Sequence, residues 1–462
     1  MAWLHENEVL RGFKGEDEMK TFLLIVWTAA IAHGAMATVR YVPGEYPTIQ
    51  LGIDSAVEGD TVLVADGVYS GDGNRDIDFN GKAIVVLSEN GPEFAIINCE
   101  GNESDPHRGF YFHSGERRSS VLRGFTIKNG YTSEYGGWPQ NCGGGILCFE
   151  SSPTIRGNII SGNTSGFSGG GIACLFFSVP VIDSNVIIGN RAYYAAGIAC
   201  DESDVSIRNN TIARNSANAG GGIGADLSSL FIDRCTITEN NADAKGGGIF
   251  LGYFSSAIVM SSIFWDDSAN TGKEIYWEGS SIRVSYSDVE GGWEGVGNID
   301  ADPLFALVEH RDYRLLWGSP CIDAGHPYLH DPDGTLRDMG AYYFDQSHPV
   351  TIYLTPDTIV VKRLGELGVT YTLVNIEPEP RTFYLQTDIF LPSGMPYPGN
   401  PIIGPLEVIL QGEETKRKRI RHTVPGKAPL GIYSYETSIS PPADDIIDMD
   451  SFEFEVTPDI LQ

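Results

Sequence analysis

The sequence predicts an all-β protein: a parallel β-solenoid followed by an immunoglobulin-like β-sandwich. Three observations carry the prediction. Gly143-Gly144-Gly145-Ile146 recurs as Gly169-Gly170-Gly171-Ile172, Ala196-Gly197-Ile198, Gly220-Gly221-Gly222-Ile223 and Gly246-Gly247-Gly248-Ile249, with the isoleucines 26, 26, 25 and 26 residues apart. A second block holds the same period over residues 153–163, 180–190, 205–215 and 230–240, each ending in Asn. Beyond Thr351 the repeats stop, and seven alternating, strand-like runs follow, separated by Pro and Gly turns.

The N-terminus reads as an address. Residues 22–32 form an apolar run too short to span a bilayer, which takes about 20 residues. Met19-Lys20 precedes it and Ala35-Met36-Ala37 follows, the pattern of a secretory signal peptide cleaved after Ala37. Residues 1–18 are acidic and fit an over-extended start, with Met19 as the expected beginning. The mature chain is therefore expected to be secreted or held at the cell surface, with no transmembrane segment. Residues 47–56 then place Ile49, Ile53 and Ala56 on one helical face, a short cap over the open end of the solenoid.

Residues 38–345 are assigned to the solenoid. Each repeat carries short β-branched runs broken by Gly and Asn, a composition of strands and turns. Stacked coils about 4.8 Å apart would align equivalent residues in columns. Asn158, Asn185 and Asn210 share one column, and Asn163, Asn190, Asn215 and Asn240 another, where amides can pass hydrogen bonds from coil to coil. The glycines before each Ile allow a corner with positive φ and close approach of coils. Cys148, Cys174 and Cys200 share a column with Ala225 and Leu251, which marks it as interior. Seven cysteines cannot all pair, and the states of Cys99, Cys142 and Cys321 stay open.

Residues 346–462 are assigned to the sandwich, with the basic run 416–421 as an edge strand kept soluble by charge. Glycine totals 55 of 462, yet no three-residue period exists, which excludes collagen. Lys and Arg number 31 against 61 Asp and Glu, a net charge of -30 that disfavours nucleic acid as a partner. Most of this charge, 19 basic against 40 acidic residues, lies on residues 38–345.

These repeats, with the capping phrase 47–69 and the closing phrases 298–305, 318–325 and 337–342, resemble the pectin-lyase-like right-handed parallel β-helix superfamily of exported bacterial proteins. The Gly-Gly-Gly-Ile and Ile-x-x-Asn blocks are also similar to those of polymorphic outer-membrane adhesins. The resemblance implies a right-handed parallel β-helix. It leaves chemistry open, because that fold serves lyases, hydrolases, adhesins and structural proteins.

Three clusters are candidates for function. Asp201 and Asp226 fall in one column after the Cys position, with Glu202 and Asp204 beside them. Stacked carboxylates repel unless solvated or bridged by a cation, so the cluster suits glycan or calcium binding and is the one candidate for acid–base catalysis. Tyr131, Tyr135, Trp138, Tyr193 and Tyr194 gather at the turn before the same strand, as a sugar-stacking or protein-contact surface. Asp331, Asp333 and Asp338 resemble the start of a calcium loop without its distal Glu. The Gly-His-Gly and Arg-Ile-Lys signatures expected of the β-helix hydrolases are absent, and none of the nine His lies within residues 143–267. The leading expectation is a monomeric, non-catalytic binder of polysaccharide or a cell-surface protein. A polysaccharide lyase or glycoside hydrolase, and a passive envelope spacer, are the alternatives.

Overall fold

The computed structural model describes residues 37–441 and 446–458. The signal peptide expected at residues 19–37 lies outside them except for Ala37. Three parallel sheets form a prism of stacked coils. Sheet 1 has ten strands, from Val39–Val42 to Ser281–Ser285. Sheet 2 has seven, from Phe110–Phe112 to Ile275–Trp277, and sheet 3 has nine, from Gly67–Tyr69 to Asp288–Val289. The columns read from the repeat are the observed registers: Ile146 pairs Ile172, then Ile198, Ile223, Ile249 and Ile275. These isoleucines, the Ile155 and Ile160 columns and the three stacked cysteines make one continuous buried core. All seven cysteines are buried free thiols.

The glycines of a triplet do two jobs. The first takes positive φ, +67° at Gly143 and +66° at Gly169. The second and third let coils touch: a Cβ on Gly144 would lie 2.5 Å from the Thr164 carbonyl oxygen, and one on Gly145 would lie 2.7 Å from that of Gly171. The expectation of positive φ beside Ile is thus corrected to the first glycine, two positions earlier. The cap is a helix over Ile49–Ser55, with Thr48 accepting from the Leu51 amide and Ile49 and Ile53 buried.

After sheet 3 the chain forms an antiparallel pair, Phe305–Leu307 with Asp312–Leu315. The closing phrases then lie along the side of the solenoid. The Gly340 amide donates to the Ser261 carbonyl, and Ala341 to Thr236 Oγ1. Arg337 pairs Asp233 at 2.9 Å. Ile188, Ala213 and Tyr313 form a small buried cluster on the same face. The outer face of sheet 3 is therefore covered in this region.

The sandwich packs a three-stranded sheet, Val350–Pro356, Glu366–Asn375 and Thr415–Thr423, against a five-stranded one. The basic run lies in the sixth of its eight strands, an edge paired only with Glu366–Asn375. Buried Tyr353 and Val374 point the other way and join a second core with Leu315, Phe344 and Ile263, which ties sandwich to solenoid.

Candidate functional site

Sheet 2 keeps an open stretch on its outer face. Its strands alternate, so Ile and Cys point inward while the residues between and after them point outward. The middle outward column runs Leu147, Ala173, Ala199, Gly224, Phe250 and Tyr276. Large side chains at both ends and small ones in the middle leave a groove of about 360 Å³. Ala199 and Gly224 form its floor, with Phe167, Tyr194, Phe250 and Tyr253 around it. The last outward column supplies the polar groups: Leu175, Asp201 and Asp226 are in register, and Asp201 and Asp226 line the groove together.

Burial, followed by the charges of Asp226 and Glu202, pushes the Asp201 carboxyl up to about 6. Asp226 is exposed at one edge, but the walls withdraw enough water to raise its pKa as well. Room for its carboxylate comes from the next coil, because a Cβ on Gly252 would meet Asp226 Oδ1 at 1.7 Å. Among the described residues no Lys, Arg or His lines the groove. Lys245 pairs with Ala219 on the neighbouring coil, but its ammonium binds Glu278 at 3.0 Å and lies 4.6 Å from the centre of the Tyr276 ring. Tyr253 donates to the other oxygen of Glu278 at 2.8 Å, which fixes that wall.

The structure brings together Asp201, Asp226 and Tyr194 of the residues singled out in the sequence. Glu202 occupies the corner at φ 48°, and Asp204 begins the next strand of sheet 1, so neither lines the groove. Tyr131 is half-buried in a short strand pairing Thr164. Trp138 folds onto Phe149 and Phe176 at 5.9 and 5.0 Å, making a separate aromatic cluster. Tyr135 and Tyr193 are exposed beyond the lining. Phe250 and Tyr253 were missed; the Ala199-Gly224-Phe250 step in the middle column was the available signal. Tyr253 also sits one place from where strict counting puts it: Leu227 pairs its amide with Tyr253, while Phe254 takes the positive-φ corner.

The calcium candidates do not converge. Asp331 pairs Arg234 at 3.0 Å and accepts from the Asp338 amide. Asp333 accepts from the Thr335 and Gln346 amides, and Asp338 from those of Asp323 and Phe344. Each carboxylate is engaged in holding its own loop, and among the described residues no group of three His, Cys, Asp or Glu side chains could hold a metal ion.

The three stacked parallel sheets define the class, a pectin-lyase-like parallel β-helix protein. The family described as right handed beta helix region matches residues 82–264 and, overlapping them, 168–302, which places the solenoid in that family. No curated protein matches the chain. Among solved structures, Pseudomonas fluorescens alkylpurine DNA glycosylase AlkC bound to abasic DNA is 15% identical over 24% of this chain and 30% of its own, with a TM-score of 0.19. A CARDB domain from Pyrococcus furiosus with di-metal ions is 14% identical over 24% of this chain and 97% of its own, at 0.19. Bacteroides uniformis β-glucuronidase is 16% identical over 23% of this chain and 14% of its own, also at 0.19. At these scores the likenesses carry no argument. Among the described residues no helix is long and apolar enough to cross a membrane.

Proposed function

We propose that the chain is an extracellular, non-catalytic binder of a neutral glycan, held in the groove of sheet 2. One observation carries this: two carboxylates share an open groove with four aromatic side chains and, among the described residues, no cation. Aromatic faces stack on sugar rings, and carboxylates accept from sugar hydroxyls in charge-assisted hydrogen bonds. A polyuronate would meet like charge here, on a chain of net charge -30. Export is supported by the signal-like residues 19–37, and N-terminal sequencing of secreted protein should begin at Thr38.

A specific observation also favours a hydrolase. Asp201, raised to about 6 with a second raised carboxylate in the same groove, can hold a proton near neutral pH as a general acid does. One experiment separates the two. The purified chain is titrated calorimetrically with neutral and anionic polysaccharides, with and without calcium, while reducing and unsaturated ends are assayed. Retention of a neutral polymer without products is expected, with at least about tenfold weaker binding in Asp226→Asn and Tyr194→Ala. Reducing ends that vanish in Asp201→Asn would establish the hydrolase instead. Absence of binding and of products across the panel would reject both.

A further inference from the structure

A cavity larger than the groove lies elsewhere. Residues 391–402 and 424–430 join strands at one end of the sandwich, and between them is a cavity of about 630 Å³ lined from both sheets. Drug-sized ligands occupy pockets of about 300–1,000 Å³. A dry apolar cavity of about 150 Å³ already accepts benzene. The deep wall is carbon: Leu367, Tyr433, Phe454 and Val456 are buried there. The Tyr433 hydroxyl donates to the Pro429 carbonyl at 2.9 Å, so its ring is what faces inward.

The mouth has the opposite character. Arg421, His422 and Lys427 line the cavity and, among the described residues, no Asp or Glu does, in a sandwich with nine basic and sixteen acidic residues. Arg421 alternates with the inward-facing His422, so its guanidinium lies on the outer face beside Glu366 at 3.9 Å, while the exposed Lys427 forms no ion pair among the described residues. His422 Nε2 is engaged by the Tyr435 hydroxyl at 2.8 Å, at the end of a buried chain through Tyr371, Thr387 and Thr437 that holds its ring in place. An apolar interior with a basic entrance matches one ligand chemistry.

We infer that this cavity binds a single-tailed anionic amphiphile, its tail against Phe454 and Val456 and its head at Lys427. The site is independent of the groove on the solenoid. Displacement of 1-anilinonaphthalene-8-sulfonate fluorescence from the full chain tests it, with dodecanoate, dodecanol and dodecyltrimethylammonium as competitors. Dodecanoate should displace the dye at a concentration about tenfold below dodecanol, and the cation should be weakest. Lys427→Gln should weaken dodecanoate about tenfold and leave dodecanol unchanged. Ile402→Trp, a half-buried wall position, should block both competitors while near-ultraviolet circular dichroism reports an intact fold; Asp226→Asn should change neither. Equal displacement by dodecanoate and dodecanol would overturn the anionic head. Absence of dye binding, or displacement unaffected by all the cavity variants, would overturn the site.

Discussion

The Asp201 carboxyl shows how much a single position owes to its neighbours in adjacent coils. Its counterpart one coil earlier is the buried Leu175, and one coil later the charged Asp226. Burial withholds water from it, and Asp226 then adds a like charge about one strand spacing away. Replacing Asp226 by Asn removes that charge but keeps the shape. The Asp201 pKa should therefore fall below about 6 toward the ordinary carboxylate range without reaching it, because the burial remains. Carboxyl carbon-13 titration of the two proteins measures this directly. An unchanged Asp201 titration in the variant would show that the two groups do not share the groove. The pairing was legible in the sequence because it needs only the period. The walls were less so: Phe250 keeps its register with Gly224, but an extra residue at Gly252 moves Tyr253 one place from the strict count.

At the scale of one element, the second asparagine column is the most regular feature of the fold. Asn163, Asn190 and Asn215 each donate through Nδ2 to the Oδ1 of the next amide at 2.9–3.1 Å, and that same oxygen accepts their own backbone N–H. The column ends in a carboxylate. Asp267 Oδ1 accepts both donors of Asn240, at 2.7 and 2.9 Å, and its own amide donates to Glu274 Oε1 at 3.2 Å. Burial drives the Asp267 pKa up to about 7, and burial together with Asp267 drives that of Glu274 up to about 11. Both values exceed those of an unfolded carboxyl, near 4. The folded chain thus holds more protons above pH 4, and this pair's stabilisation is full below pH 4 and lost as pH rises through 7 and beyond. Asp267→Asn keeps the oxygen for Asn240 and gives Glu274 a donor in place of a charge. It should raise stability by about 2 kcal/mol at pH 8, with a smaller gain at pH 5 and a flatter pH slope, read by denaturant titration. A variant less stable at pH 8, or one with the slope unchanged, would contradict the account. The column itself was visible as spacing. The acid pair was not, because it depends on residues 268–274 folding back within one coil.

For the whole molecule, the prism has three sides and the chain uses them differently. Residues 305–345 cover part of sheet 3, the sandwich adjoins that covering, and the groove faces out from sheet 2. The solenoid and the sandwich were each legible from alternation and period. Their junction was not, because residues 305–345 have no period and their pairing partners lie up to about a hundred residues back, as with Arg337 and Asp233. Arg314 is the hub of that junction. Its guanidinium binds Asp312 at 2.8 and 2.9 Å on its own strand and Asp450 at 2.8 Å on the five-stranded sheet. It also donates to the Leu354 carbonyl at 3.2 Å on the three-stranded sheet and lies 4.2 Å from the centre of the Tyr353 ring. Truncating it leaves the buried Asp312 without its cation, and losing one partner of a buried pair costs about 3–5 kcal/mol. Because the contacts run to both sandwich sheets, the loss should fall on the junction. In scanning calorimetry Arg314→Ala should move the sandwich transition to lower temperature and leave the solenoid transition in place. Adding Asp312→Asn should recover part of the shift, since the stranded carboxylate is the source of the penalty. A lone transition at the original temperature in Arg314→Ala would show that the two units are held together by the apolar contacts of Tyr353, Val374 and Phe344 alone.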